Sequence, residues 1–324
     1  LLSGILRGQW GFKGYVVSDC EAIDDIYKYH KLADTLEQAV SMAIENGCDL
    51  NCCNEICTNA KQGVLKADAE GMIKEEWINR NLKRLLITRF KLGMFDSTQH
   101  TPFTGIPGDI VDCKKHRALA LKAAQDSVVL LSNDGVLPLN KNKIKSAAVI
   151  GPNADDVSVL LGNYSGTPAS PKTVLKGFSE IKGINVNYAK GCELTGNDTK
   201  GFAQAVKCAE KSDVIILCLG LSPKIEGEEC DTNGYERASL GLPGVQEELI
   251  KRLRKTGKPV IVILLSGGAL SLKPDSADAV LQAWYPGQAG GTAIADIVFG
   301  AVSPSGKLPV TVYKNVKQLP AFES

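Results

Sequence analysis

Apolar positions in the first part of the chain alternate between β-rich runs and stretches of helical period. Phe12 to Ser18 and Cys48 to Cys52 read as short strands. Between them, Leu36, Ala39, Val40, Ala43 and Ile44 recur on one face, predicting a helix over Thr35 to Glu45 with Asp34 as its cap. From Asp68 the helical period returns through Ile73, Trp77, Leu82, Leu85, Leu86 and Phe90, and it stops at Gly93. Strand-helix-strand-helix order this tight implies parallel strands, and two such units are too few to close a barrel.

Thr98 to Val111 holds Pro102, Gly105, Pro107 and Gly108, which resist regular structure and suit a linker. The expected division is therefore a first domain over 1–97, a linker over 98–112 and a second domain over 113–324. A helix is expected over Lys114 to Ser127, then Val128 to Ser132 and the turn Asn133-Asp134-Gly135. Ser146 to Ile150, Asn185 to Tyr188, Val214 to Gly220, Val260 to Leu265 and Ala279 to Trp284 follow as apolar or β-branched runs, several unbroken by polar residues. Unbroken runs mean strands covered on both faces. Helices fit at Gly201 to Lys211, Gly244 to Lys255 and Gly290 to Phe299, so this half reads as a three-layer α/β/α sandwich. Its ligand face should be the crevice beyond the strand C-termini, where Gly151-Pro152 and Leu219-Gly220-Leu221 emerge.

Composition narrows the function. Lys+Arg of 37 against Asp+Glu of 36 leaves a net charge of +1, so no electrostatic footprint for nucleic acid or an anionic membrane surface exists. No apolar run reaches the roughly 20 residues that a bilayer crossing needs. The expected partner is a small neutral molecule. Ten cysteines include the cluster Cys48, Cys52, Cys53 and Cys57, yet only three histidines are present and no zinc spacing occurs, so buried thiols with at most one disulfide are expected rather than a metal. The chain opens on Leu1 inside a helical pattern without a start signal, which reads as a truncated N-terminus.

Two acidic features carry the chemistry. Asp19 directly follows the strand run Tyr15 to Ser18, so its carboxylate should project from a strand's C-terminal end, the face that holds the chemistry of (β/α) barrels. Alone, such an Asp reads first as a cap or turn residue for the next helix. A second carboxyl comes from the loop after Val214 to Gly220, where Glu226, Glu228, Glu229 and Asp231 crowd together. Crowded carboxyls raise one another's proton affinity, which suits a general acid, although a solvated acidic loop has the same charge pattern. Retaining glycoside cleavage uses such a pair, about 5 to 5.5 Å apart, one ionised and one protonated.

The stretch Gln9-Trp10-Gly11-Phe12-Lys13-Gly14-Tyr15-Val16-Val17-Ser18-Asp19 resembles the nucleophile motif of family 3 glycoside hydrolases. Four further segments resemble the family in its own order: Leu92 to Asp96, Asn133 to Leu139, Trp284 to Gln288 with Gly290-Gly291, and Pro304 to Pro309. The resemblance implies an α/β chain: the C-terminal part of a (β/α)8 TIM barrel, a linker, then an (α/β)6 three-layer sandwich. It implies Asp19 as nucleophile and Glu226 as acid/base, with Glu228 the nearest competitor. The family pattern has an Asp-Arg pair after the acidic loop, where this chain has Glu236-Arg237 behind the insertion Thr232 to Tyr235. Tyr29, His30 and Glu228 are the candidate sugar-binding residues.

Cys20-Glu21-Ala22-Ile23 after the nucleophile resembles the β-xylosidase and α-arabinofuranosidase branch, whereas the β-glucosidase branch more often has Trp there. The function so implied is exo-acting release of a terminal non-reducing sugar, β-D-xylose first, by double displacement. A β-glucosidase of the same family or an inactive carbohydrate-binding fragment is the alternative. Neither metal nor organic cofactor is expected, since both chemical steps use carboxyl groups and water. The resemblance places the family's remaining sugar-binding residues upstream, so these residues alone are expected to lack activity, and it implies a secreted or periplasmic protein. A nucleotide-binding domain is disfavoured because neither phosphate-loop pattern occurs.

Overall fold

The structure, a computed structural model, describes residues 1–52, 58–97, 100–101, 103–226 and 237–321. It divides into two compact units, Leu1–Gly108 and Asp109–Ser324. The boundary falls inside the Pro/Gly-rich stretch. Among the described residues no helix is long and apolar enough to cross a membrane.

The first unit begins with a π-helical segment, Leu2–Gln9, and carries α1 (Ala22–Lys28), α2 (Leu36–Asn46), α3 (Thr58–Ala69) and α4 (Glu75–Lys91). Three sequence expectations are corrected here. Phe12 to Ser18 and Cys48 to Cys52 form no extended strands; they meet in a single parallel bridge, Val17 to Leu50. Buried parallel strands need neighbours on both edges and cover on both faces. Here the Tyr15 and Val17 side chains stay exposed.

The helix expected from Asp68 is two helices, because Gly71 takes φ +71 and the chain restarts at Glu75. Ile73, between them, is buried in a small core with Ile23, Ala39, Val40, Ala43 and Ala67. Leu82 and Phe90, by contrast, are exposed. The cap of α2 is Thr35 rather than Asp34: Thr35 Oγ1 accepts from the Gln38 N–H at 3.3 Å, and Gln38 Oε1 returns the contact to the Asp34 N–H at 2.9 Å. This reciprocal pairing satisfies two otherwise orphaned donors.

The second unit is an α/β fold on one six-stranded sheet, ordered β1-β6-β5-β4-β2-β3. Its strands are β1 (Val129–Asn133), β2 (Ser146–Ile150), β3 (Asn185–Ala189), β4 (Val214–Gly220), β5 (Val260–Leu265) and β6 (Ala279–Gln282). All neighbours run parallel except β1, which pairs antiparallel with β6. The last strand ends at Gln282, two residues before Trp284 as expected from sequence, because Trp284 turns to φ +59.

Alternation along the strands sends side chains to two separate cores. Val214, Ile216, Cys218, Ile261 and Ile263 face one, together with Phe178, Ile294 and Val298. Ile215, Leu217, Leu219, Val262 and Leu264 face the other, with Ala205, Leu249 and Leu253. The first core is covered by α5 (Lys114–Ser127), α6 (Val174–Ser179) and α10 (Gly290–Val298), the second by α7 (Phe202–Glu210) and α9 (Gln246–Arg254). Helix α6 was not foreseen from the sequence, being a six-residue insert between β2 and β3.

The faces follow from handedness. From β2 the chain steps outward to β3 through α6, then reverses across β2 to β4 through α7. Right-handed crossovers running in opposite directions must put their helices on opposite faces. The reversal makes the C-terminal ends of β2 and β4 a topological switch point, where ligand crevices form in open α/β sheets.

Candidate active site

Asp19 lies in the first unit, directly after the Val17–Leu50 bridge. The segments either side of the bridge are tied together: the Ser18 N–H donates to Leu50 O at 2.9 Å, Ser18 Oγ to Asn51 Oδ1 at 2.9 Å, and the Cys52 N–H to Ser18 Oγ at 2.9 Å. Glu21, at left-handed φ +62, caps α1 and donates its N–H to Cys52 O at 3.4 Å. Asp19 therefore stands on a fixed backbone while its side chain is exposed, with Oδ1 accepting the Cys20 N–H at 2.8 Å. Cys20 Sγ and Cys52 Sγ lie 2.7 Å apart. Tyr29 and His30 follow the C-terminus of α1, both exposed, with their N–H groups on Asp25 O.

Beneath Asp19 is a charged anchor that sequence reading missed. The Asp49 side chain is fully buried and ion-paired to Arg7 and Arg84. Arg7 Nη1 also donates to Gly14 O at 2.7 Å. Its only sequence signal is an Asp inside an apolar run, Cys48-Asp49-Leu50.

Glu226 lies in the second unit, on the single turn α8 (Pro223–Glu226) that leaves β4. The exit is shaped by Gly220 at φ +141, whose N–H donates to Gln246 Oε1 at 2.9 Å and whose carbonyl accepts from Gln246 Nε2 at 3.0 Å. The half-buried carboxylate is held on both oxygens. Gly268 N–H donates to Oε1 at 2.5 Å, while Gly267 N–H and the Tyr285 hydroxyl donate to Oε2 at 3.1 and 2.5 Å. Glu226, the Gly267-Gly268 pair and Tyr285 thus follow the C-terminal ends of β4, β5 and β6, three adjacent strands.

The support continues inward. Gln282 Nε2 donates to Ser266 Oγ at 3.0 Å, and Ser266 Oγ to Gly268 O at 2.9 Å, both residues being buried. Arg237 faces the carboxylate with its guanidinium fixed by Ala269 O and Ser239 O, each at 2.9 Å. Burial pulls the Arg237 pKa below the ordinary value, and the Glu226 charge works the other way. Burial and the bond to Glu226 together push the Tyr285 hydroxyl well above the usual tyrosine range. A cavity of about 450 Å³ opens beside these groups, lined by Glu226, Arg237, Asn163, Ser239 and Gly268.

Glu228, Glu229 and Asp231 lie outside the described residues, as do Cys53, Cys57 and the insertion 232–235. The described neighbours of Glu226 are hydrogen-bond donors and a guanidinium rather than acids. Tyr285, Gly267 and Gly268 were not singled out from the sequence as functional. The signal for the two glycines was a strand ending in Ser-Gly-Gly, a pattern of close backbone approach. Among the described residues no group of three or more His, Cys, Asp or Glu side chains could hold a metal ion.

Residues 1–88 match the glycosyl hydrolase family 3 N-terminal domain and residues 128–324 the family's C-terminal domain. A beta-xylosidase of Formosa agariphila is 37% identical over 99% of this chain and 45% of its own length. Beta-D-xylosidase 3 of Arabidopsis thaliana is 37% identical over 97% and 40%. Among solved structures, a GH3 exo-beta-xylosidase in complex with a xylobiose aziridine probe superposes with TM-score 0.88 at 34% identity, over 99% of this chain and 41% of the other. A b-glucosidase from Erythrobacter marinus gives 0.87 at 35% identity, over 99% and 46%. The chain spans less than half the length of these relatives.

Proposed function

This chain belongs to glycosyl hydrolase family 3, and from that premise we propose that it carries the paired carboxylates of a retaining, exo-acting glycosidase that releases terminal β-D-xylose. In this reading the first unit is the C-terminal part of a (β/α)8 barrel and the second an (α/β)6 sandwich, joined over 98–112. The six-stranded sheet with a core on each face supports the latter. The protein is secreted or periplasmic and acts on small oligosaccharides or aryl glycosides.

Asp19 attacks the anomeric carbon while Glu226 gives its proton to the departing glycosidic oxygen, leaving a glycosyl ester on Asp19. Glu226, now ionised, takes a proton from water; the resulting hydroxide cleaves the ester and frees the sugar. Tyr29 and His30 line the glycone side, and Glu228 is the alternative to Glu226. The observation that carries this reading is the exposed Asp19 carboxylate on a pinned backbone, at the position of the family's nucleophile motif.

A 2-deoxy-2-fluoro xyloside, incubated with the longest natural chain that carries this sequence, should leave one glycosyl unit covalently on Asp19. Intact protein without an adduct, or an adduct on another residue, would reject the assignment. The b-glucosidase likeness favours a second sugar, glucose. A panel of aryl glycosides decides between them by kcat/KM.

A further inference from the structure

Double displacement needs Asp19, Glu226 and water, and it leaves Tyr285 without a role. Yet the fold spends strain to place this side chain. Trp284 sits in the left-handed region at φ +59, a strained conformation for a residue with a Cβ, and its Nε1 is fixed on Ser127 O at 3.0 Å. The next residue is Tyr285, whose hydroxyl ends on Glu226 Oε2.

The chemistry of the contact is one-sided. Tyr285 O–H, Gly267 N–H and Gly268 N–H are all donors, and together they cover both carboxylate oxygens. An ionised carboxylate accepts from all three at once, whereas a proton on Oε1 would face the Gly268 N–H and a proton on Oε2 would require the Tyr285 hydroxyl to turn and accept it. The closeness also depends on glycine: a Cβ at Gly267 would lie 2.9 Å from Oε2, and one at Gly268 3.2 Å from Oε1. Arg237 and Tyr285 are both charged or titratable groups that feel the Glu226 charge.

Resting on the acid/base reading of Glu226, we infer that Tyr285 is a positioning residue that, with Gly267 and Gly268, forms a cradle for the ionised Glu226 carboxylate. The cradle captures Glu226 once its proton has passed to the departing oxygen, and it orients the carboxylate for the water that follows. Tyr285 keeps its own proton throughout, because burial and the Glu226 charge both hold it there. It is a donor and never the acid.

The test is Tyr285→Phe in the longest natural chain carrying this sequence, with kcat/KM followed against pH on 4-nitrophenyl β-xyloside. The ionised form loses one charge-assisted donor, so the basic limb, where the protonated acid is lost, should move up by about one pH unit. kcat on a substrate limited by deglycosylation should fall about tenfold. A merely structural tyrosine would lower activity without moving the limb, and an unmoved limb overturns the inference. Gly268→Ala, which crowds Oε1 from the other side, should move the limb in the same direction and serves if the Phe variant does not fold. Glu226→Ala with added azide separates the two claims. No xylosyl azide means the acid/base reading fails and the cradle with it; azide rescue beside an unmoved limb in Tyr285→Phe removes the cradle alone.

Discussion

Arg7 Nη2 and Asp49 Oδ2 meet at 2.5 Å across 42 residues of sequence, and the same oxygen accepts the Val16 N–H at 2.8 Å. Arg84 holds the other oxygen at 3.0 Å. One fully buried carboxylate thus joins the Leu2–Gln9 segment, the run leading to Asp19 and helix α4. Asp49→Ala would leave two guanidinium groups facing each other without a counter-charge, which costs about 3 to 5 kcal/mol when the site is buried. Urea denaturation followed by tryptophan fluorescence, to which Trp10 and Trp77 contribute from the first unit and Trp284 from the second, should show that loss in the first-unit transition. Arg84→Ala should cost less, because Arg84 is the more exposed partner.

Gly267→Ala separates function from stability. The added Cβ would press on Glu226 Oε2 at 2.9 Å and on the Tyr285 ring at 3.0 Å. The carboxylate tip is the end of a flexible side chain and can retreat, and the Tyr285 ring needs to give by only a few tenths of an ångström, so the melting temperature should stay near that of the parent. A carboxylate displaced by about 1 Å costs on the order of 100-fold in turnover. Parallel thermal melts and aryl xyloside assays check both halves, and full activity would mean that the seat is immaterial.

Gly220→Ala should do the opposite. A Cβ there would fall 2.0 Å from the backbone oxygen of Leu265 at φ +141, and that oxygen cannot retreat because β4 and β5 are paired from Ile215–Val260 to Gly220–Leu265. Strain and overpacking together should remove about 3 kcal/mol or more. Chemical denaturation monitored by far-UV circular dichroism measures it.

The second unit was legible because its strands are hydrophobic on both faces: Val214 to Gly220 and Val260 to Leu265 occupy the ranges their unbroken apolar runs predict. The first unit was less so. Tyr15, Val16 and Val17 have β-branched and aromatic character, yet a strand is made by neighbours, and a single bridge to Leu50 cannot extend it. Phe90 fits a helical stripe but is exposed, since period alone does not say what covers a face. At the site, Asp19 and Glu226 were readable from motif and loop charge. Tyr285 was not, because its contact with Glu226 spans 59 residues and depends on β6 lying next but one to β4 in the sheet.

Asp213 gives the second unit a predicted dependence on pH. Its Oδ2 accepts from the Lys145 N–H at 2.8 Å, the Ser146 N–H at 2.9 Å and Ser146 Oγ at 3.0 Å, fastening the starts of β2 and β4 side by side. The two backbone donors and the hydroxyl hold its pKa below the ordinary aspartate value of 3.8. A carboxyl whose pKa is lowered on folding stabilises fully above its unfolded value, and the contribution is lost as pH falls through the folded one. Asp213→Asn keeps the shape but not the charge. The gap in urea midpoint between parent and variant should therefore be constant from about pH 5 to 7 and close below about pH 4. A gap that persists unchanged to about pH 2.5 would show that the charge of Asp213 is not what joins the two strands.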